Sequence, residues 1–371
     1  MIAMPEVTES YVHTLLPAHG PDGAPIMAAL VKRTYDITPD GRCVPAAEQA
    51  PLIPTDTFPE GKDPVTGSCL MESDFIPFKV ATDVVVIGKV HAPGGMAAPR
   101  VNAAVSVAGA TKEIVAFGDR YCYWHEGTLY FSDPEPFRSI DLLYENAYGG
   151  VDLTTFGPDA PMIYPRNHIG KGFVVNPAPA ALHGLQLPNL EDPHHLLTPQ
   201  TIAFGQMEVW QRQPMPQSFS WFGKFWYPRC SFAGVLPPYM RMYEEIQEAV
   251  LGLVPKDQVE QFKRFRMPMM DFRFFSGAAP GLAVPYLKGD ESVYLLGLDP
   301  RGAINVTLPG PRLRVGIDLG DGFNFPEVVV HTVCILKEEN RLYVVWRAAL
   351  PYGGPEKIDQ IKRMDVLVEE A

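Results

Sequence analysis

Cysteine is scarce, and its placement builds nothing. Cys43, Cys69, Cys122, Cys230 and Cys334 are odd in number, widely spread and never paired as C-x-x-C. That excludes a disulfide framework and a zinc ribbon, and the five thiols read as reduced packing residues. Positive charge is short as well: 31 Lys and Arg stand against 43 Asp and Glu, a formal charge of −12 with no basic cluster. Such a balance repels phosphate backbones and anionic lipid, so no nucleic-acid or membrane partner is expected. No apolar run approaches the ~20 residues of a membrane-spanning helix. The opening MIAMPEVTES lacks the basic stretch and apolar run of a secretory signal, and a cytoplasmic location is the expectation.

Punctuation, by contrast, is abundant, with 38 Pro and 32 Gly in 371 residues. Proline removes a backbone donor and breaks helix interiors, so long helices are not expected to be common. The stretches between prolines alternate as strands do. Val101, Ala103, Val105 and Val107 fall on one face, with Asn102, Ala104, Ser106 and Ala108 on the other. Residues 28–37, 83–90, 113–118 and 303–308 carry the same β-branched or aromatic enrichment. The clearest hairpin is 328–349, where VVVHTVCIL and RLYVVWRAAL flank the turn KEEN; its Trp346 face should pack against a larger sheet, since a lone hairpin is marginal in water. The predicted fold is mainly β, as packed antiparallel sheets or a distorted barrel with a small helical insert.

The insert is predicted over 239–266. Tyr239, Met242, Tyr243, Ile246, Ala249, Val250 and Leu253 recur at helical spacing before Pro255, and Asp257 is placed to cap a second short helix. The chain divides into a β-rich region at 1–180 and a second at 181–371 that carries the insert, or forms one continuous domain.

Familiar catalytic signatures are missing. VIGKVHAPGG lacks the G-x-G-x-x-G of a dinucleotide loop and reads as a strand ending in a turn, and there is no Walker loop, nucleophile elbow or H-E-x-x-H helix. Glu191, Asp192, His194 and His195 share one loop, but without a distant third ligand they read as a polar surface loop, so no metal site is assigned. Asp318, Gly320 and Asp321 read as a turn. FGDR (117–120) and LLYENAYGG (142–150) offer carboxylates and a guanidinium that could serve as acid, base or anion clamp; a structural ion pair joining two segments is the favoured reading. The aromatic group Trp210, Phe219, Trp221, Phe222, Phe225, Trp226 and Tyr227 is read first as core. Its Pro-interrupted setting also makes Trp221, Phe225 and Trp226, with Tyr239 and Tyr243 of the insert, a candidate partner surface.

Eight strings, in order, resemble a bacterial family long catalogued as a domain of unknown function and associated with type VI secretion, in which members act as effector chaperones or adaptors. They are LMESDFIPFK (70–79), ATDVVVIGKVHAPGG (81–95), FGDR, LLYENAYGG, RNHIGKGF (166–173), LPNLEDP (187–193), KGDESVYLLGLDPRG (288–302) and RLYVVWR (341–347). The resemblance implies a non-enzymatic protein without a cofactor that binds a secreted effector or its PAAR-like domain and helps load it onto the VgrG spike. It singles out Asp119, Arg120, Tyr144, Glu145, Gly149, Gly150, Asn167, Gly170, Gly172, Phe173, Pro188, Asn189, Glu191, Trp346 and Arg347 as structural or binding positions. No catalytic residue is assigned. The competing expectation is a glycan- or peptidoglycan-acting hydrolase, which would need two carboxyl groups across a cleft.

Overall fold

A computed structural model describes residues 6–7, 11–175, 182–203, 213–233, 257, 270–354 and 364–370. The insert at 239–266, apart from Asp257, lies outside the described residues, as does Trp210. The principal strands, in chain order, are β1 (Val12–His19), β2 (Pro25–Ile37), β3 (Thr82–Ile87), β4 (Arg100–Val107), β5 (Ala110–Phe117), β6 (Ser292–Leu296), β7 (Ile304–Thr307), β8 (Leu313–Asp318), β9 (Val328–Leu336), β10 (Arg341–Pro351) and β11 (Asp365–Glu370).

The largest sheet runs Glu6–Val7, β1, β2, β10, β9, β3, Ala283–Val284, with Cys43–Pro45 beside the end of β2. Among the described pairings of this sheet, only β9–β3 is parallel. Strand β2 is buried on both faces from Ile26 to Tyr35, and it registers against β10 from Asp36↔Arg341 to Ile26↔Pro351. Strands from both ends of the sequence are therefore hydrogen-bonded side by side. The 328–349 hairpin forms as expected, with Asn340 taking the left-handed conformation (φ 51°) that its short polar side chain tolerates. Trp346 is buried and meets the Tyr11 ring edge-on at 6.4 Å.

A second sheet runs Leu190–Glu191, β5, β4, β6, β7, all antiparallel. Val101, Ala103, Val105 and Val107 of β4 are all buried, as their alternation requires. Ala108 and Gly109 both have positive φ, the geometry of a two-residue turn that matches strand twist. A third, small sheet is Phe323–Asn324, β8, β11. Among the described residues, none of the sheets closes into a barrel. One large apolar core joins the faces of all three sheets, and a smaller one gathers Cys122, Tyr148, Tyr164, Phe173 and Leu187. All five cysteines are free thiols, and burial pushes Cys43, Cys122, Cys230 and Cys334 up to about 12. Among the described residues, no helix is long and apolar enough to cross a membrane.

Candidate functional site

Four of the signature strings, far apart in sequence, meet in one knot. Asn167 is fully buried and donates through Nδ2 to the carbonyls of Tyr144 (2.8 Å) and Tyr148 (3.1 Å), while its own carbonyl accepts from Gly150 N–H at 2.8 Å. Gly149 and Gly170 pack directly on it: a Cβ at Gly149 would lie 2.1 Å from the Asn167 carbonyl oxygen, and one at Gly170 2.4 Å from its Nδ2. Gly172 is crowded by Pro188, and Phe173 N–H donates to the Gly149 carbonyl at 3.1 Å. These glycines are needed for close approach, because any side chain would occupy the space of a neighbouring backbone.

Asn189 joins the other two strings. Its carbonyl accepts from Phe117 N–H and its own N–H donates to the Asn146 carbonyl, both at 2.8 Å, and its Nδ2 donates to the Phe117 carbonyl and to Asp119 Oδ1, both at 3.0 Å. Gln186 adds a 3.3 Å bond to the same Asp119 oxygen. Arg120 is buried, stacked 3.9 Å from the Phe117 ring centroid, and it donates to the Pro188 carbonyl (2.8 Å) and to Glu191. The structural ion pair is present, but the partner of Arg120 is Glu191, from a third string. Burial raises the Glu191 carboxyl above its ordinary range even with Arg120 pulling it down. Glu145 instead accepts from Ser68, through its N–H at 2.9 Å and its hydroxyl. Lys171 donates to Asn189 Oδ1 (2.9 Å) and Asn146 Oδ1 (3.3 Å); burial lowers its ammonium pKa, opposed by the charges of Asp119 and Glu145.

A second set of buried charges lies outside the sequence expectations. The string LMESDFIPFK sends three charges inward to three separate elements. Glu72 takes a two-pronged bond from Arg229 (3.1 Å at Nη2), whose guanidinium also donates to the carbonyls of Phe222 (2.5 Å) and Phe274 (2.9 Å). Asp74 pairs with Lys32 of β2 at 2.7 Å, and that ammonium lies 4.1 Å from the Tyr343 ring centroid. Lys79 pairs with Asp83 at 2.5 Å and reaches Thr332 Oγ1 at 3.1 Å. All six charged groups are buried. The available signal was the spacing of Glu72, Asp74 and Lys79 among Phe, Ile and Pro, which suits a segment clamped between sheets better than an exposed loop.

Arg347 meets this region through a bulge in β9, where the register slips between Val330 and Thr332. The extra residue, His331, is buried and accepts at Nε2 from Lys79 N–H and Arg347 Nε, each at 3.3 Å. Burial, with the charges of Lys79 and Arg347, holds its pKa well below the ordinary value, so the imidazole is neutral.

The proposed partner surface is corrected in part. Trp221 and Trp226 are each 2% exposed, and only Phe225, at 63%, is open to solvent. Tyr144 stacks edge-on against Trp226 (4.9 Å) and Phe222 (5.7 Å), and Trp226 Nε1 donates to His168 Nδ1 at 2.9 Å. Proline-rich irregular chain can be buried here because its backbone finds partners: Phe219 accepts from Val86 of β3, Phe222 donates to Gly277, and Tyr227 donates to Pro165. Tyr239 and Tyr243 lie outside the described residues.

The remaining candidates are turns. Asp318 accepts from Gly320 and Gly322 N–H, and His194, on the surface, faces Glu113 at 3.0 Å. Among the described residues, no group of three or more His, Cys, Asp or Glu is arranged to hold a metal ion.

Beside the knot, Asp152 braces the hairpin of Val151–Asp152 and Met162–Ile163. It accepts from Thr154 N–H and hydroxyl (both 2.7 Å), from the Thr155 hydroxyl (2.5 Å) and from Val175 N–H (2.9 Å). Burial alone would raise its pKa, but the threonine hydroxyls and the amides outweigh it and hold the carboxyl at about 2, against an ordinary 3.8. A depressed folded pKa contributes stability above the unfolded value that is lost as pH falls through the folded one. Asp152→Asn should therefore flatten the loss of stability between about pH 4 and pH 2. Urea midpoints of parent and variant across that range test this, and parallel pH profiles would refute it.

Residues 22–347 match the family described as uncharacterized protein conserved in bacteria (DUF2169), and the chain belongs to that family. No curated protein and no solved structure matches it.

Proposed function

We propose that the protein is a chaperone or adaptor of type VI secretion, binding a secreted effector or its PAAR-like domain and assisting its loading onto the VgrG spike. The reading comes from the eight ordered strings, and the observation that supports it is what their residues do. Asn167, Asn189, Arg120, Glu191 and the glycines around them tie chain segments together, as a rigid docking body requires. A specific contact of this kind buries on the order of 1,600 Å² and needs no cofactor. The hydrolase alternative has less support, because Glu191 is paired with Arg120 and Glu145 is bonded to Ser68.

The cargo contacts are assigned to the insert at 239–266, with Tyr239 and Tyr243, and to the exposed ring of Phe225. Co-expression with the proteins encoded beside its gene should yield a co-purifying complex with a toxin or a spike protein. Deleting 239–266 should abolish cargo recovery while the remaining protein still melts cooperatively. Recovery unchanged by the deletion would remove the assignment to the insert, and the absence of any complex with neighbouring secretion proteins would remove the function.

A further inference from the structure

The small third sheet is completed by a strand that lies beyond the family-matched residues, which end at Arg347. Strand β11 pairs along the whole of β8, from Asp318↔Asp365 to Leu313↔Glu370. It is nonetheless lightly held, for none of its six residues is fully buried. On the inner face Val366 and Val368 sit opposite Ile317 and Val315, both fully buried, and rest on the main core. On the same face, two residues further, Glu370 accepts from the Tyr11 hydroxyl at 2.6 Å and from Arg33 Nη1.

That last contact is a built receptor. Arg33 belongs to β2, in the largest sheet; its guanidinium lies 4.6 Å from the Tyr11 ring centroid and 5.4 Å from that of Tyr35, and it is 9% exposed. A guanidinium packed near two rings, bonded to the Tyr11 hydroxyl at 2.7 Å and facing one carboxylate, selects an acidic residue at one position of an extended strand. The outer face repeats the theme more loosely: Arg314 lies 3.5 Å from Glu369 and 3.7 Å from the centroid of the Phe325 ring.

We propose that the β8 edge with Arg33 is a strand-addition site for a partner protein, with β11 as its resident occupant. The partner segment is extended and reads apolar-x-apolar-x-acidic, the pattern of Val366, Val368 and Glu370. Main-chain pairing to β8 supplies affinity, while the two inner apolar positions and the carboxylate supply selection. The inference goes beyond the secretion reading and stands whether or not the partner is exported.

A labelled peptide of residues 364–371, MDVLVEEA, is the probe. In the full-length chain, Val366→Asp with Val368→Asp weakens the resident strand and leaves β8 and Arg33 intact. The peptide should bind this variant at least about tenfold more tightly than the native chain, whose tethered strand competes at high effective concentration. Changing the peptide's own glutamate at position 370 to glutamine should weaken binding about fivefold or more, as loss of a charge-assisted bond predicts. Equal affinity for both chains, no saturable binding, indifference to the glutamine, or dimerisation of the variant in place of peptide binding would each overturn the proposal. Should the variant fail to melt cooperatively, hydrogen exchange of the native chain decides. Amides of 365–370 exchanging on the order of a hundredfold faster than those of 341–351 support a releasable strand, and equal protection overturns it.

Discussion

Glu72→Ala should destabilise the protein by about 3–5 kcal/mol, read as a lower urea midpoint at an unchanged denaturant slope. The size follows from what is left behind. Arg229 is 3% exposed, and burial pulls its pKa down, but the charge and hydrogen bond of Glu72, together with the charges of Asp83 and Asp56, leave it above its ordinary value. Without the carboxylate, a charged guanidinium remains in the interior with the carbonyls of Phe222 and Phe274 as its partners. Glu72→Gln keeps a hydrogen-bond acceptor and loses the charge, so its cost should fall between. The double variant Glu72→Leu with Arg229→Met should recover most of the loss, since a buried ion pair replaced by apolar groups of similar volume is often neutral. Gly277 explains the fit: a Cβ there would lie 2.3 Å from Glu72 Oε2, so the carboxylate rests against bare backbone. A Glu72→Ala variant within about 1 kcal/mol of the parent would mean that the charge pair does not hold these segments together.

Buried ion pairs of this kind leave no local mark in the sequence, whereas strands do. Strands β2, β4, β9 and β10 were legible because alternation and β-branched enrichment are local, and the KEEN turn announced its hairpin. Lys32, inside AALVKRTYDI, was legible as part of a strand, but its partner Asp74 lies 42 residues away, and nothing local joins them. Likewise FGDR and LLYENAYGG advertised charges, whereas the match of Arg120 to Glu191 depends on β5 and Leu190–Glu191 pairing in the fold. The aromatic segment packs as core, its first reading, and the added surface reading of Trp221 and Trp226 fails for a different reason. Proline interruption suggests exposure, yet proline limits only which backbone groups can bond, and Phe219, Phe222 and Tyr227 find partners on other chain segments.

Gly149→Ala should cost about 3 kcal/mol or more, and the comparison that gives the number meaning is Gly157→Ala. Both glycines have positive φ, 149° and 84°, so either alanine meets backbone strain of order 1–3 kcal/mol. They differ in their surroundings. At Gly157 no atom lies within 4 Å of the new Cβ, whereas at Gly149 the Asn167 carbonyl oxygen is 2.1 Å away, on backbone that also accepts from Gly150 N–H. Relief requires Asn167 to move, and with it the bonds to Tyr144 and Tyr148 that hold the knot. Overpacking of this kind adds about 1–3 kcal/mol to the strain. Gly170→Ala isolates the steric part, because its Cβ would meet the Ala147 carbonyl oxygen at 2.5 Å without positive φ. Denaturant midpoints of the three variants test the ranking. If Gly149→Ala and Gly157→Ala lose equal stability, the knot yields without penalty, and the signature glycines must answer to something other than close backbone packing.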